Sequence, residues 1–150
     1  MIGIVVTGHG LFASGIEKAV ERIIGEQPQV AYIDFPIETN VDMLNEQMLK
    51  AIETVNDGKG VLFFTDLLGG SPFRTAALIA QAQPGIEVLT GTNLQMTLEL
   101  MLERDCDSLT LEDARLMALE CGHRGLTSLY DQIQTKEKKV TDNEGFNDGI

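Results

Sequence analysis

Short apolar runs recur along the first two thirds of the chain, and each of them ends at a turn signal. The runs occupy residues 2–7, 30–35, 60–65 and 86–90. They are rich in β-branched and aromatic side chains and show little alternation of apolar and polar positions, which is typical of strands covered on both faces. The pattern therefore predicts strands of a parallel sheet.

Between and after these runs, apolar residues recur at spacings of three and four, as on one face of a helix. This periodicity predicts helices over residues 11–24, 41–55, 72–83, 94–103 and 111–121. Asn40, Ser71 and Thr110 precede three of them as predicted caps, and Thr92 and Asn93 precede another. Alternating strands and helices predict an open, doubly wound, mainly parallel α/β sheet with helices on both faces.

The last part of the chain departs from this alternation. Residues 125–130 (GLTSLY) alternate in part between apolar and polar side chains, which predicts a short final strand at an antiparallel edge of the sheet. From residue 134 onward the sequence is polar and rich in Gly, Asn and Asp, which predicts a disordered segment. We therefore expect one folded domain over residues 1–130 and a polar, flexible tail over residues 131–150.

Composition and charge narrow the classes of partner. The chain has 150 residues and a formal net charge of −12, from 23 acidic and 11 basic side chains. Such a field repels nucleic acid and anionic membrane surfaces, so neither is an expected partner. No apolar run approaches the roughly 18–20 residues that a membrane span requires. Residues 1–7 lack the basic flank of a signal peptide, so a cytoplasmic protein is expected.

The two cysteines give no reason to expect a disulfide or a metal. Cys106 and Cys121 lie fifteen positions apart and form no CxxC pair. Cys121 and His123 are close in sequence, but no tetrahedral zinc set can be assembled from them at a familiar spacing. Buried, reduced thiols are expected, with no metal and no cofactor.

Three polar loops follow strands at the edge of the sheet where α/β proteins bind ligands. They are residues 8–10, 66–71 and 91–93, and each leads into a helix whose N-terminal N–H groups favour an anion. In the second loop, Gly69 and Gly70 can present successive backbone N–H groups, and the Ser71 hydroxyl can both cap a helix and bind an oxyanion. These loops predict an anion site, although an ordinary capped helix would also explain Ser71.

His9 is the strongest candidate for a catalytic residue because it lies between two glycines on a strand-to-helix turn. Imidazole is a nucleophile with an ordinary pKa of about 6.5, so most of it is neutral near pH 7. Asp66 directly follows the third predicted strand, and its carboxylate can fix the ring tautomer by accepting from one nitrogen. The simpler interpretations are a surface histidine and an aspartate that caps the next turn.

Three other functions stay open on these residues alone. Gly8-x-Gly10 after a strand, with Asp34 further on, is typical of a dinucleotide site, although Ala13 occupies the place of the third glycine. A histidine phosphatase would need an arginine before His9 and a second catalytic histidine, whereas Gly8 precedes His9 and His123 is the only other histidine. A nucleotide- or anion-binding regulatory module without covalent phosphate is the third alternative.

Taken together, the segments VVTGHG, FFTDLLGGSPF and GTNL resemble the mannose-family IIA component of the bacterial phosphoenolpyruvate-dependent sugar phosphotransferase system. The resemblance covers residues 1–130 and is to the N-acetylgalactosamine/mannose type of EIIA. It implies a phosphotransferase component that accepts a phosphoryl group from the phosphohistidine of HPr and passes it to a histidine of EIIB. The sugar is not identified by these segments.

The same resemblance implies roles for particular residues. His9 would accept the phosphoryl group through Nε2, and Asp66 would hold the Nδ1–H group. Ser71, Gly10 and Gly70 would bind the phosphoryl oxygens. It further implies a homodimer that exchanges a C-terminal strand at residues 125–130. Some members of the family continue into an EIIB domain, whereas residues 134–150 are a polar segment, so EIIB is expected on a separate chain.

Overall fold

A computed structural model describes residues 1–148 of the chain, together with the side chains of residues 1–141. Its sheet contains the strands β1 (Gly3–His9), β2 (Val30–Phe35), β3 (Val61–Thr65) and β4 (Ile86–Leu89). The strand order is β2-β1-β3-β4, and every pairing is parallel. The strands follow the predicted ones, except that β1 extends to His9, which therefore ends a strand instead of lying on the turn.

Helices cover both faces of this sheet. They are α1 (Phe12–Ile24), α2 (Val41–Val55), α3 (Ser71–Ala82), α4 (Leu94–Glu103), α5 (Leu111–Gly125) and α6 (Leu129–Asp148). Ile4 and Phe64 pack among α1, α4 and α5, whereas Val5 and Phe63 pack on α2 and α3. Successive side chains of a strand point to opposite faces, so strands covered twice must be apolar throughout. The predicted α/β fold with helices on both faces is confirmed.

The register of the strands brings the carboxyl ends of β1, β2 and β3 to one edge. Thr7 pairs with Thr65 of β3, and His9 pairs with Phe35 of β2. Asp66 follows Thr65 directly and so begins its loop beside the end of β1. Because β1 is a central strand, a side chain at its end can be contacted from both neighbours.

Several predicted caps are present at the helix N-termini. Asn40 Oδ1 accepts from Met43 N–H at 2.8 Å, and Asn93 Oδ1 accepts from Met96 N–H at 3.0 Å. Thr110 and Asp113 form a reciprocal capping box at the start of α5. The Thr92 hydroxyl instead donates to the Thr65 carbonyl at 2.8 Å, which ties the loop after β4 to the end of β3.

A buried arginine lies at the opposite end of the sheet, where the strands begin. The Arg104 side chain lies in the interior, and its Nη1 donates to the carbonyls of Ile2 at 3.0 Å and Gln29 at 3.1 Å. Its Nη2 donates to the Pro28 carbonyl. These carbonyls lie just before the first residues of β1 and β2, so one guanidinium group joins the amino ends of two neighbouring strands. Arginine is rarely buried without such partners.

Replacing Arg104 with methionine is expected to lower the free energy of unfolding by about 3 kcal/mol, because these carbonyls lose a buried, charged donor. Urea denaturation measures the change. Arg115→Met is the control, since Arg115 lies at the surface 3.9 Å from Glu87 and an exposed pair contributes about 1 kcal/mol or less. Equal losses in the two variants would contradict this role for Arg104.

The structure corrects the predicted C-terminal strand. Residues 125–130 do not form a strand, because Gly125 ends α5 and Leu129 begins α6. Ser128 Oγ accepts from Asp131 N–H at 3.0 Å and so caps a helix at this point. The segment predicted to be disordered is helical to Asp148, with every described side chain exposed; residues 149 and 150 lie outside the described residues.

No helix in the described part combines the length and apolar character needed to span a membrane.

Candidate functional site

His9 and Asp66 meet at the edge formed by the carboxyl ends of the strands. Asp66 Oδ2 lies 2.8 Å from His9 Nδ1, and the same oxygen accepts from the backbone N–H of His9 at 2.8 Å. The other carboxylate oxygen, Oδ1, accepts from Leu67 N–H at 2.8 Å. The carboxylate is therefore held in one orientation by backbone donors and is directed at one ring nitrogen.

This geometry leaves the second ring nitrogen available for chemistry. A neutral imidazole that donates through Nδ1 to a carboxylate carries its free lone pair on Nε2. The His9 side chain is 46% exposed, whereas that of Asp66 is only 16% exposed. The arrangement can therefore present an oriented nucleophile at the surface while its orienting acid stays largely covered.

Two glycines make room for this pair. A β-carbon placed on Gly8 would lie 2.9 Å from Asp66 Cγ, and one placed on Gly70 would lie 2.7 Å from His9 Cε1 and 3.4 Å from Nε2. Contacts below 3 Å are essentially unknown for real β-carbons. Glycine at position 70 thus lets the start of α3 approach the exposed face of the imidazole.

The start of α3 differs by one residue from the prediction. Gly70 is the N-cap and Ser71 is the first helical residue, so the predicted cap role of Ser71 is wrong. Within the described residues, Ser71 Oγ and the N–H groups of Ser71 and Phe73 have no hydrogen-bond partner. Unpaired N–H groups at a helix N-terminus, together with the helix dipole, favour an anion. Because a β-carbon on Gly70 would touch the ring, the N-terminus of α3 begins beside His9.

Gly10 allows a left-handed backbone turn after His9, and Gly70 leaves room for the His9 ring. Gly10 N–H already donates to the Phe35 carbonyl at 2.8 Å, and Gly70 N–H donates to the Leu67 carbonyl at 3.1 Å. Gly10 also has a φ of 59°, a left-handed conformation that glycine adopts at little cost. Neither N–H is therefore free to bind an anion, and the geometry gives no support to either glycine as a direct phosphate ligand.

The residues behind the other interpretations lie elsewhere or are already engaged. Asp34 accepts from Ser14 N–H at 2.9 Å and from its hydroxyl, so its carboxylate joins β2 to α1. This leaves Asp34 poorly suited to hold a ribose. His123 lies in the last turn of α5 and lines an apolar cavity of about 290 Å³ near the end of β4. Among the described residues, no group of three or more acidic, histidine or cysteine side chains could hold a metal ion.

Four exposed leucine and isoleucine side chains lie in the loops that follow β1, β2 and β3, a feature that the sequence interpretation missed. Leu11 is 71% exposed, Ile37 101%, Leu67 60% and Leu68 71%. Each lies within two residues of His9, Phe35 or Asp66 in the sequence. We call these four residues the apolar rim. Their sequence positions could have indicated this feature, because a large apolar side chain in a surface loop stays exposed to water unless a partner covers it.

Burial of Asp66 raises its pKa, but hydrogen bonds from the His9 backbone and ring and from Leu67 N–H more than offset this effect. The pKa of Asp66 is therefore lowered from its ordinary value. A carboxyl group whose pKa is lower in the folded state stabilises the fold above its unfolded-state pKa, about 3.9. This stabilisation is lost as the pH falls through the lower, folded-state value.

The free energy of unfolding is accordingly expected to decrease more steeply in acid for the wild type than for Asp66→Asn. Urea denaturation near neutral pH and at about pH 3 measures this difference. The stability gap between the two proteins should narrow as Asp66 becomes protonated. A gap that is independent of pH would show that the carboxylate contributes no charge-dependent stability.

Comparisons with known proteins match most of the chain. The family model for the fructose IIA component of the PTS, the phosphotransferase system, also called EIIA-man, matches residues 3–117. The mannose-specific EIIAB component of the PTS from Escherichia coli (strain K12) is 35% identical over 128 residues, covering 85% of this chain. The match covers 39% of that relative, so this chain spans well under half of its length. The sorbose-specific EIIA component from Lacticaseibacillus casei is 29% identical over 91% of this chain and 96% of the relative.

Solved structures show the same architecture. The phosphotransferase system component EIIA from Streptococcus agalactiae superposes with a TM-score of 0.81 at 29% identity, covering 87% of this chain and 99% of that one. The PTS IIA protein associated with the fucose utilization operon from Streptococcus pneumoniae gives a TM-score of 0.76 at 25% identity. That match covers 87% of this chain and 95% of the other.

Proposed function

The chain belongs to the EIIA-man family of IIA components of the phosphotransferase system, and on this premise we propose that it is a cytoplasmic phosphocarrier of bacterial sugar uptake. It takes a phosphoryl group from the phosphohistidine of HPr onto His9 and gives it to a histidine of EIIB. The observation that carries this proposal is the 2.8 Å contact between Asp66 Oδ2 and His9 Nδ1, which leaves Nε2 free beside the N-terminus of α3.

The phosphoryl group passes directly between two imidazoles. His9 Nε2 attacks the phosphorus of the donor phosphohistidine, a new N–P bond forms, and the bond to the donor ring nitrogen breaks with its electron pair. The proton on His9 Nδ1 stays in the hydrogen bond to Asp66. After transfer the ring is cationic, and the Asp66 carboxylate stabilises that charge. Positioning and electrostatic stabilisation supply most of the rate in such reactions.

Local donors must hold the phosphoryl oxygens because the whole chain has a net charge of −12. We assign this role to Ser71 Oγ and to the N–H groups of Ser71 and Phe73 at the start of α3. These donors are preorganised by the helix, and the dipole of α3 adds a favourable field. A few donors without a metal ion suit a carrier, since the phosphoryl group must leave again.

The apolar rim favours a protein as the donor and as the acceptor. Its four side chains lie in loops at the same end of the sheet as His9, which is itself 46% exposed, so an approaching protein can cover them together. Protein interfaces commonly contain large apolar side chains that the partner removes from water. Association of two chains into a homodimer is part of the same proposal, but an exchanged strand is not, because Leu129 begins a helix.

The proposal is tested by following phosphate through reconstituted partners. The chain is incubated with phosphoenolpyruvate, enzyme I and HPr, and EIIB is added afterwards. We expect one acid-labile, base-stable phosphoryl group that appears only when every component is present and that moves to EIIB. Release of inorganic phosphate from small esters without HPr would indicate a hydrolase. A nucleotide that raises the melting temperature of a chain that takes no label would indicate a regulatory module.

Replacing Gly70 with alanine is expected to lower the rate of phosphoryl uptake about tenfold or more, because the new methyl group would press on His9 Cε1 and turn the ring. The φ of Gly70 is −70°, so alanine introduces no backbone strain there. Gly15→Ala is the matched control, since a β-carbon at Gly15 meets open space on α1. Uptake rates measured by quenched flow should be equal for the wild type and Gly15→Ala. Unchanged uptake in Gly70→Ala would contradict the close contact.

A further inference from the structure

His9 is contacted from a second side by a residue that takes no part in the transfer described above. The rings of His9 and Phe35 have centroids 6.0 Å apart and an interplanar angle of 64°, an edge-to-face arrangement. Aromatic pairs favour this geometry at centroid separations of about 4.5–7 Å. Asp66 approaches the imidazole from the end of β3, whereas Phe35 approaches it from the end of β2.

The backbone around Phe35 is tied to the turn that follows His9. Gly10 N–H donates to the Phe35 carbonyl at 2.8 Å, and Phe35 N–H donates to the Gly10 carbonyl at 3.2 Å. Phe35 also packs against the core formed by α2 and α3. Its ring is thus held by the interior of the protein on one side and touches the exposed imidazole on the other.

We propose that Phe35 is a positioning residue for phosphoryl transfer. The inference rests on the proposed function of His9. A hydrogen bond to Asp66 fixes Nδ1 but still allows the ring to rock about that contact. The Phe35 ring blocks this motion from the β2 side, so that Nε2 stays directed at the N-terminus of α3. A displacement of the order of 1 Å at a reacting atom can cost about a hundredfold in rate.

The test compares Phe35→Leu, which removes the ring but keeps an apolar side chain and the backbone hydrogen bonds, with Phe35→Tyr, which keeps an aromatic ring. Ile33→Val is the matched control, because Ile33 lies two residues earlier in β2, is 8% exposed and belongs to the same core. Two quantities are measured: the single-turnover rate constant for uptake from phosphorylated HPr, and the HPr concentration that gives half of that rate.

Phe35→Leu is expected to lower the rate constant about tenfold without changing the half-saturating concentration. Phe35→Tyr should stay within about twofold of the wild type, and Ile33→Val should be unchanged although its stability falls. An unchanged rate constant in Phe35→Leu, an equal loss in Ile33→Val, or an effect confined to the half-saturating concentration would each overturn the positioning role.

A second readout does not depend on transfer. Nuclear relaxation of the His9 ring in the unphosphorylated protein should report a more mobile imidazole in Phe35→Leu than in the wild type, Phe35→Tyr or Ile33→Val. Equal mobility in all four proteins would overturn the inference even if every protein were phosphorylated. A wild type that accepts no phosphoryl group would instead refute the proposed function, while the relaxation result would still decide whether Phe35 restrains the ring.

Discussion

Replacing His9 with glutamine is expected to abolish phosphoryl uptake, since the amide nitrogen of glutamine has no lone pair available for attack on phosphorus. The His9 side chain is 46% exposed, so its loss should change the free energy of unfolding by only about 0.5 kcal/mol. Labelling from phosphoenolpyruvate through enzyme I and HPr measures uptake, and urea denaturation measures stability.

His123→Gln is the matched control for this substitution. His123 lies at the end of α5 near the carboxyl end of β4, outside the set of groups assigned to the transfer. The variant should take up one phosphoryl group at the wild-type rate. Residual covalent label in His9→Gln, or its loss in His123→Gln, would show that the acceptor has been assigned to the wrong residue.

The second large effect is expected for Asp66→Asn, which should slow uptake by about a hundredfold to ten-thousandfold. If the amide oxygen replaces Oδ2, the NH₂ group faces the N–H of Leu67, which also donates. If the amide is turned over, the NH₂ group faces the backbone N–H of His9 and favours the tautomer with its lone pair on Nδ1. In both orientations the ring also loses the negative charge that stabilises it after transfer.

Asp34→Asn provides the comparison for Asp66→Asn. The Asp34 carboxylate also accepts from a backbone N–H, that of Ser14, but it lies on β2 and holds α1 instead of the imidazole. Quenched-flow measurements of uptake should therefore show little change for Asp34→Asn. A similar loss of rate in both variants would indicate that the carboxylates act on the fold in general, and the orienting role of Asp66 would be withdrawn.

Most of the secondary structure could be predicted because strands and helices in this fold have distinct apolar patterns. A continuous apolar run such as 60–65 is needed where helices cover both faces of a strand. Asn40 and Thr110 cap helices through contacts three residues away, which are local enough to read from sequence. The meeting of His9 and Asp66 followed from topology, since the ends of neighbouring parallel strands lie at one edge.

The remaining features depend on distances that a linear pattern does not contain. Arg104 is buried because it reaches carbonyls far away in sequence, and Phe35 touches His9 through strand register. At the start of α3 the N-cap is Gly70 instead of Ser71, and the Ser71 hydroxyl has no partner among the described residues. The strand predicted at residues 125–130 from partial alternation was wrong, because the local cap at Ser128 begins a helix there.

The exposed helix α6 is a further feature that the sequence did not predict. Its sequence is polar and would be expected to remain unfolded in isolation, since packing against a domain supplies most helical stability. The structure nevertheless continues α6 to Asp148 without burying any of its described side chains. The division at residue 130 and the flexibility of the tail remain predictions from sequence.

The central claim is that His9 accepts the phosphoryl group on Nε2 while Asp66 holds Nδ1–H. Nitrogen and phosphorus NMR of the chain phosphorylated through enzyme I and HPr identifies the ring nitrogen that carries phosphorus. The expected spectrum shows one phosphoryl group on Nε2 of His9, with a proton on Nδ1. A phosphoryl group on Nδ1, on another side chain, or on none would contradict the mechanism.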